Sequence, residues 1–205
     1  MNLKATIATT LCLWAIAGAA QEKLPDFVDG NTPAEVQMQL IREAAPEDVV
    51  ENATLYILGK AGYEKARSGS NGFSCLILRE RPDTLEPECY DAEGSATSLK
   101  ADLYLEQERA KGHKDEEIRR DIAAGYRSRK FRAPGKAGIV YMLSPHNRVY
   151  DPESKQVISF PGHLMFYAPY ATAETVGKGP GAPYIVHPGE ADALLIVIPA
   201  KHSQH

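Results

Sequence analysis

Between residues 138 and 198 the chain breaks into short β-favouring runs separated by proline and glycine, and this punctuation limits the possible folds more than any other feature of the sequence. The runs cover residues 138–143, 148–150, 156–160, 164–167 and 194–198. Short runs with turn residues between them read as antiparallel neighbours, because parallel pairing requires a long crossover for every strand. The sequence before them is helical in pattern. Thr32-Pro33-Ala34-Glu35 offers an N-cap threonine, a proline at the first helical position and a glutamate at the third, and Val36, Leu40 and Ile41 follow at helical spacing. Pro46-Glu47-Asp48 opens a second expected helix, with Val49, Val50, Ala53, Tyr56 and Ile57 on its apolar side and Gly59 and Gly62 ending it. Residues 95–111 and 114–126 read as a helical pair split at Gly112. The predicted fold class is therefore α+β: N-terminal helices and a central helical pair packed on a mainly antiparallel sheet built largely from the C-terminal third.

Two segments lie between these regions. Residues 73–78 are almost continuously apolar, which predicts a central strand covered on both faces. Residues 82–94 carry two prolines and five acids, which predicts a surface loop tethered by Cys89.

The cysteines bear on compartment. Lys4 is followed by an uncharged stretch to Gln21, with Leu11, Leu13, Trp14 and Ile16 at its centre and small residues at its end. Residues 1–20 are thus expected to be a cleavable signal peptide, cut before Ala20 or Gln21. Cys12 leaves with it, and Cys75 and Cys89 remain to form a disulfide in an oxidising compartment, either periplasmic or extracellular. Residues 21–31 read as a flexible leader and 32–205 as a single globular domain. Losing Lys4 takes the formal charge from −4 to −5, which offers no field to attract nucleic acid. The most apolar later stretch, residues 193–200, is strand-sized and too short to span a membrane.

Candidate chemistry gathers in the last third. Asp151-Pro152-Glu153-Ser154 has turn composition and predicts a hairpin whose paired residue numbers sum to about 307 to 309. His146 then falls opposite His163 or within two residues of it, and His187, with Glu190 and Asp192 behind it, is positioned to join them. His146, His163 and His187 are accordingly the candidate metal ligands, and a metal-assisted hydrolase using His146 and His163 is the alternative function they raise. No HExxH or HxH spacing is present, and a lone histidine bonded to backbone at a strand end explains each as simply. A thiol mechanism on Cys75 or Cys89 competes with the expected disulfide. The cations of residues 126–132 suit either an anionic ligand or the carbonyl end of a helix. Residues 177–184 are glycine-rich but lack a GK[ST] signature, and Pro180 and Pro183 remove N–H donors, so this stretch reads as a surface loop or a rim over a pocket. Met142, Met165, Phe166, Tyr167 and Tyr170 form an adaptable apolar set able to line a small-molecule pocket. The leading expectation is a non-catalytic exported domain that binds a small molecule or a protein partner through this β-rich third. The residues identify no cofactor and no catalytic group.

Taken together, NGFSCLILR, PECYDAEG, GIVYMLS and PGHLMFYAPY resemble, in motif order, a family of exported bacterial proteins with no assigned activity. That resemblance implies a bacterial, exported setting and brings no activity, cofactor or site residue with it.

Overall fold

A computed structural model describes residues 24–180 and 182–197; the expected signal peptide lies outside them. The described residues have an α+β architecture. They form helices α1 (Ala34–Ile41), α2 (Glu47–Glu51), α3 (Ala92–Ala96), α4 (Ser98–Ala110), α5 (Asp115–Arg127) and α6 (Ala173–Val176). The strands of the N-terminal half are β1 (Thr54–Gly59), β2 (Gly62–Arg67), β3 (Ser74–Leu78) and β4 (Thr84–Tyr90). The later strands are β5 (Ile139–Met142), β6 (Arg148–Asp151), β7 (Gln156–Ser159), β8 (His163–Tyr167), β9 (Tyr184–Val186) and β10 (Leu194–Val197). One sheet runs β2-β1-β3-β4-β5-β8-β10-β9, and the β6–β7 hairpin attaches to the start of β4. Every pairing is antiparallel except that of β1 with β3.

The period-2 alternation of β3 and β4 divides the interior into two layers. Cys75 and Ile77 of β3, with Leu85 and Cys89 of β4, pack against Leu40, Ile41 and Val50 of α1 and α2. Leu76 and Tyr90 turn to the opposite face, where they meet Leu99 of α4 and Val140, Met142 and Met165 of β5 and β8. All five residues of β3 are buried, as a strand covered on both faces requires. Cys75 and Cys89 stand directly opposite one another and are joined by a disulfide with a Cα separation of 4.1 Å. So close an approach marks the pair that does not exchange backbone hydrogen bonds, in which N–H groups point away from the partner strand. Pro87 has the same parity opposite Ile77, so its missing N–H is on the edge away from β3. That edge is paired with β6 only at Thr84 and Leu85 and with β5 only at Cys89 and Tyr90, so Pro87 occupies a gap where no donor is needed.

Several sequence expectations are corrected here. The second helix stops at Glu51, and Leu55 to Leu58 belong to β1, because burial of Leu55 and Leu58 in the α1 core and pairing with β2 and β3 outweigh helical spacing. The segment read as an acidic surface loop is mostly strand β4, with Glu88 only 2% exposed. Val28, within the stretch read as a flexible leader, is buried in the α1 core. Helix α1 begins without the expected capping box, since Thr32 Oγ1 accepts from the Asp29 N–H instead. The predicted 151–154 turn is present and sets β6 against β7 with Asp151 opposite Gln156, in the expected register. The ladder does not continue to His163, however, because β8 leaves the hairpin and pairs with β5, placing His163 opposite Met142.

Candidate functional site

The face of the sheet covered by α4 holds a cavity of about 280 Å³. Strand parity explains its walls. Glu86, Glu88 and Tyr90 project into it from β4, His163 and Met165 from β8, and Leu194 and Ile196 from β10. Each set repeats every second residue, as side chains sharing one face must. Met142 of β5, Val186 of β9, and Ser98 and Asp102 of α4 complete the enclosure with Leu78 and Phe160. A second cavity of about 320 Å³ continues beneath α5 past Tyr126 and Arg119, and the two share Glu80, Asp102, His187 and Asp192.

Charge in this space divides into two groups. The first is neutralised. His187 Nε2 donates to Glu80 Oε1 at 3.0 Å, its Nδ1 lies 3.5 Å from Asp192 Oδ2, and the Arg119 guanidinium reaches Glu80 Oε1 at 2.8 Å. The hydrogen bonds to Asp192 and Glu80 lift the His187 pKa to about 10, overriding burial, so the ring is an imidazolium at neutral pH. Burial alone would raise Glu80, but its bonds to His187 and Arg119 bring it down to about 2. His187 adopts a left-handed backbone, φ 50, and the carboxylates at its two ring nitrogens hold the side chain in place.

The second group carries no cation. Glu86 Oε2 accepts only the Glu80 N–H at 3.3 Å and the Thr84 hydroxyl at 3.1 Å, and burial with the nearby Glu80 charge pushes its carboxyl up to about 7. Asp102 Oδ2 accepts from the Tyr90 hydroxyl at 3.0 Å, and burial together with the Asp192 and Glu80 charges raises it to about 7. Glu88 is the extreme case: burial, then the charges of Glu86 and Asp102, hold it well above the usual carboxylate range, and its Oε2 has no hydrogen-bond partner. Ser98 Oγ is likewise buried and unpartnered.

The three candidate histidines are separated by their surroundings. His146 lies in the β5–β6 connection, with Nε2 3.3 Å from Glu43 and Nδ1 beside Arg148. His163 is 6% exposed, in the cavity wall, with Nδ1 at 3.0 Å from the Pro161 carbonyl. His187 joins Glu80 and Asp192 as described, the one part of the histidine grouping in which a partner proposed from sequence is in contact. Among the described residues no three His, Cys, Asp or Glu side chains converge in a group able to hold a metal ion. With Cys75 and Cys89 joined, neither offers a thiolate. Met142 and Met165 do line the cavity, whereas Tyr170 is 62% exposed and Tyr167 is engaged outside it, its hydroxyl donating to Asp91. Of the four cations in residues 126–132, two make local contacts, Lys130 over the Tyr104 ring and Arg132 on Glu93.

Sequence reasoning missed Glu80, Glu86, Glu88 and Asp102. The signal for two of them was present: in Thr84-Leu-Glu-Pro-Glu-Cys-Tyr90 the acids alternate with Leu85, Pro87 and Cys89 at strand period, and proline obscured it. No family model matches the chain, and no curated protein or solved structure matches it significantly. Among the described residues no helix is long and apolar enough to cross a membrane.

Proposed function

We propose that this chain is an exported, non-catalytic small-molecule-binding protein whose ligand occupies the cavity between the sheet and α4. The observation that carries this reading is an apolar-walled space of about 280 Å³ with a buried carboxyl in its wall, Glu88, whose Oε2 has no hydrogen-bond partner. Where only stability is at stake, interiors close such spaces with side chains and give buried polar groups partners. The Cys75–Cys89 disulfide supports an exported setting. A protein partner has weaker support, since the exposed apolar side chains are spread over β7 (Val157 and Ile158), β8 (Phe166), Tyr170 after it, β9 (Tyr184) and β10 (Val197). His146 and His163, each engaged by different groups, lend the metal-assisted hydrolase no comparable support.

A neutral apolar fluorophore, N-phenyl-1-naphthylamine, tests the reading. It is expected to bind saturably at a single site with enhanced emission. Met165→Trp, which fills the cavity from β8, is expected to weaken binding at least about tenfold while the far-UV circular dichroism is unchanged. Emission that never saturates, or equal binding by the folded variant, contradicts the assignment.

A further inference from the structure

We infer that the cavity selects an organic cation, a primary aliphatic amine whose ammonium group meets Glu88 while its hydrocarbon body lies along Met142, Met165, Leu194 and Ile196. The inference rests on the binding function proposed above and names the ligand class. Its basis is an imbalance in charge and hydrogen bonding. Within the joined cavities the cations contributed by α5 and the β9–β10 connection, Arg119 and His187, are already committed to Glu80 and Asp192. Arg81, near the start of β4, is turned to Asp83 and the Tyr150 carbonyl. What remains facing Glu88 includes no lysine or arginine: Glu86 and Tyr90 on its own strand, Asp102 on α4, and His163 on β8, whose Nδ1 is held at the Pro161 carbonyl. Of these, Glu86 and Asp102 receive only neutral hydrogen bonds.

Ligand classes differ in what they do with this arrangement. An anionic ligand adds like charge to a buried acidic wall. A hydrocarbon leaves Glu88 Oε2 and Ser98 Oγ without partners, a desolvation cost that persists in the complex. An alcohol supplies one neutral hydrogen bond. An ammonium group supplies three N–H donors and a positive charge in a space of low polarity, where charge-assisted hydrogen bonds are strongest. A primary amine also matches the walls, because its single polar end leaves the remainder free to contact Leu78, Phe160 and the methionines.

Binding is coupled to proton release. In the free protein the uncompensated carboxyls hold protons near neutrality, since burial disfavours their charged forms. An arriving R–NH3+ replaces a proton as the counter-charge: the carboxylic acid becomes a carboxylate paired with the ammonium, and the proton passes to the buffer. No covalent bond to the ligand forms or breaks.

Isothermal titration with n-hexylammonium, n-hexanol and hexanoate in 150 mM salt at pH 6.5 tests this, each run in phosphate and again in a buffer of high ionisation enthalpy. The amine is expected to bind at least about tenfold more tightly than the alcohol, hexanoate is expected to give no binding, and the amine's apparent enthalpy is expected to differ between buffers as protons are released. Glu88→Gln is expected to abolish the amine's advantage over hexanol; Asp102→Asn, read the same way, serves if the first variant fails to fold. Alcohol and amine binding equally, or an amine enthalpy independent of buffer, overturns the cation inference while leaving the small-molecule reading intact. Failure of all three probes together with N-phenyl-1-naphthylamine removes the underlying reading as well.

Discussion

Glu88 stands between Pro87 and Cys89 on a strand whose other face is packed into the α1 core, and its side chain is buried in the cavity wall. The same confinement makes stability depend on pH, and the sign follows from which way each group is shifted. Glu86, Glu88 and Asp102 have folded pKa values raised above their ordinary values of 4.5 and 3.8. The Glu86 and Asp102 contributions are complete below about pH 4 and are lost as pH rises through about 7, and the Glu88 contribution is lost in the same direction. Glu80 acts in the opposite direction: its contribution is present above about pH 4.5 and is lost as pH falls toward about 2. His187 contributes fully below about pH 6.5 and loses that contribution only as pH approaches about 10. The sum is a stability maximum near pH 4 and a decline toward pH 8. Glu88→Gln keeps the shape and removes the ionisable proton, so thermal melts at pH 8 are expected to show the variant more stable than the wild type by at least about 1.4 kcal/mol, the equivalent of one pKa unit. At pH 4 the two are expected to be nearly equal. Parallel melting profiles across this range contradict the assignment of Glu88 as a buried, uncompensated acid.

At the scale of elements, what the sequence revealed depended on whether local pattern and tertiary pairing agreed. Strand β3, helices α4 and α5 and the β6–β7 hairpin were legible because apolar spacing, turn residues and final packing point the same way. Strand β1 was not, since Ala53, Tyr56 and Ile57 continue a helical spacing begun in α2, and only pairing with β2 and β3 decides the outcome. Strand β4 was hidden by Pro87 and its acids, whose tolerance depends on a gap in the sheet edge and a cavity that no local pattern displays. The disulfide lies at the junction of these two cases, tying the legible strand to the hidden one. It closes a separation of 14 residues, for which chain entropy gives about 3 kcal/mol. The paired substitution Cys75→Ala with Cys89→Ala is expected to lower unfolding free energy in urea by about that amount, less any relief of packing, and to leave far-UV circular dichroism native at 25 °C. A loss below about 0.5 kcal/mol means that the β3–β4 pairing is held almost entirely by its buried side chains.

For the whole molecule, the feature least accessible to sequence reading is the departure of β8 from the hairpin that precedes it. By pairing with β5 and then β10, β8 carries His163 and Met165 to the face where β4 presents its acids, and it leaves His146 at Glu43. A site made of residues from both halves of the chain thus arises from sheet order, while the class of fold was already apparent in helices preceding a strand-rich third. The methionines provide the most direct test, because Met142 and Met165 line the cavity and Met38, on α1 at the other side of the sheet, does not. With methyl-13C methionine incorporated, titration with n-hexanol and with n-hexylammonium in turn is expected to move the Met142 and Met165 methyl resonances along one common saturable curve while that of Met38 stays in place. If neither ligand moves the two cavity methyls, or if Met38 moves with them, the cavity is not the binding site.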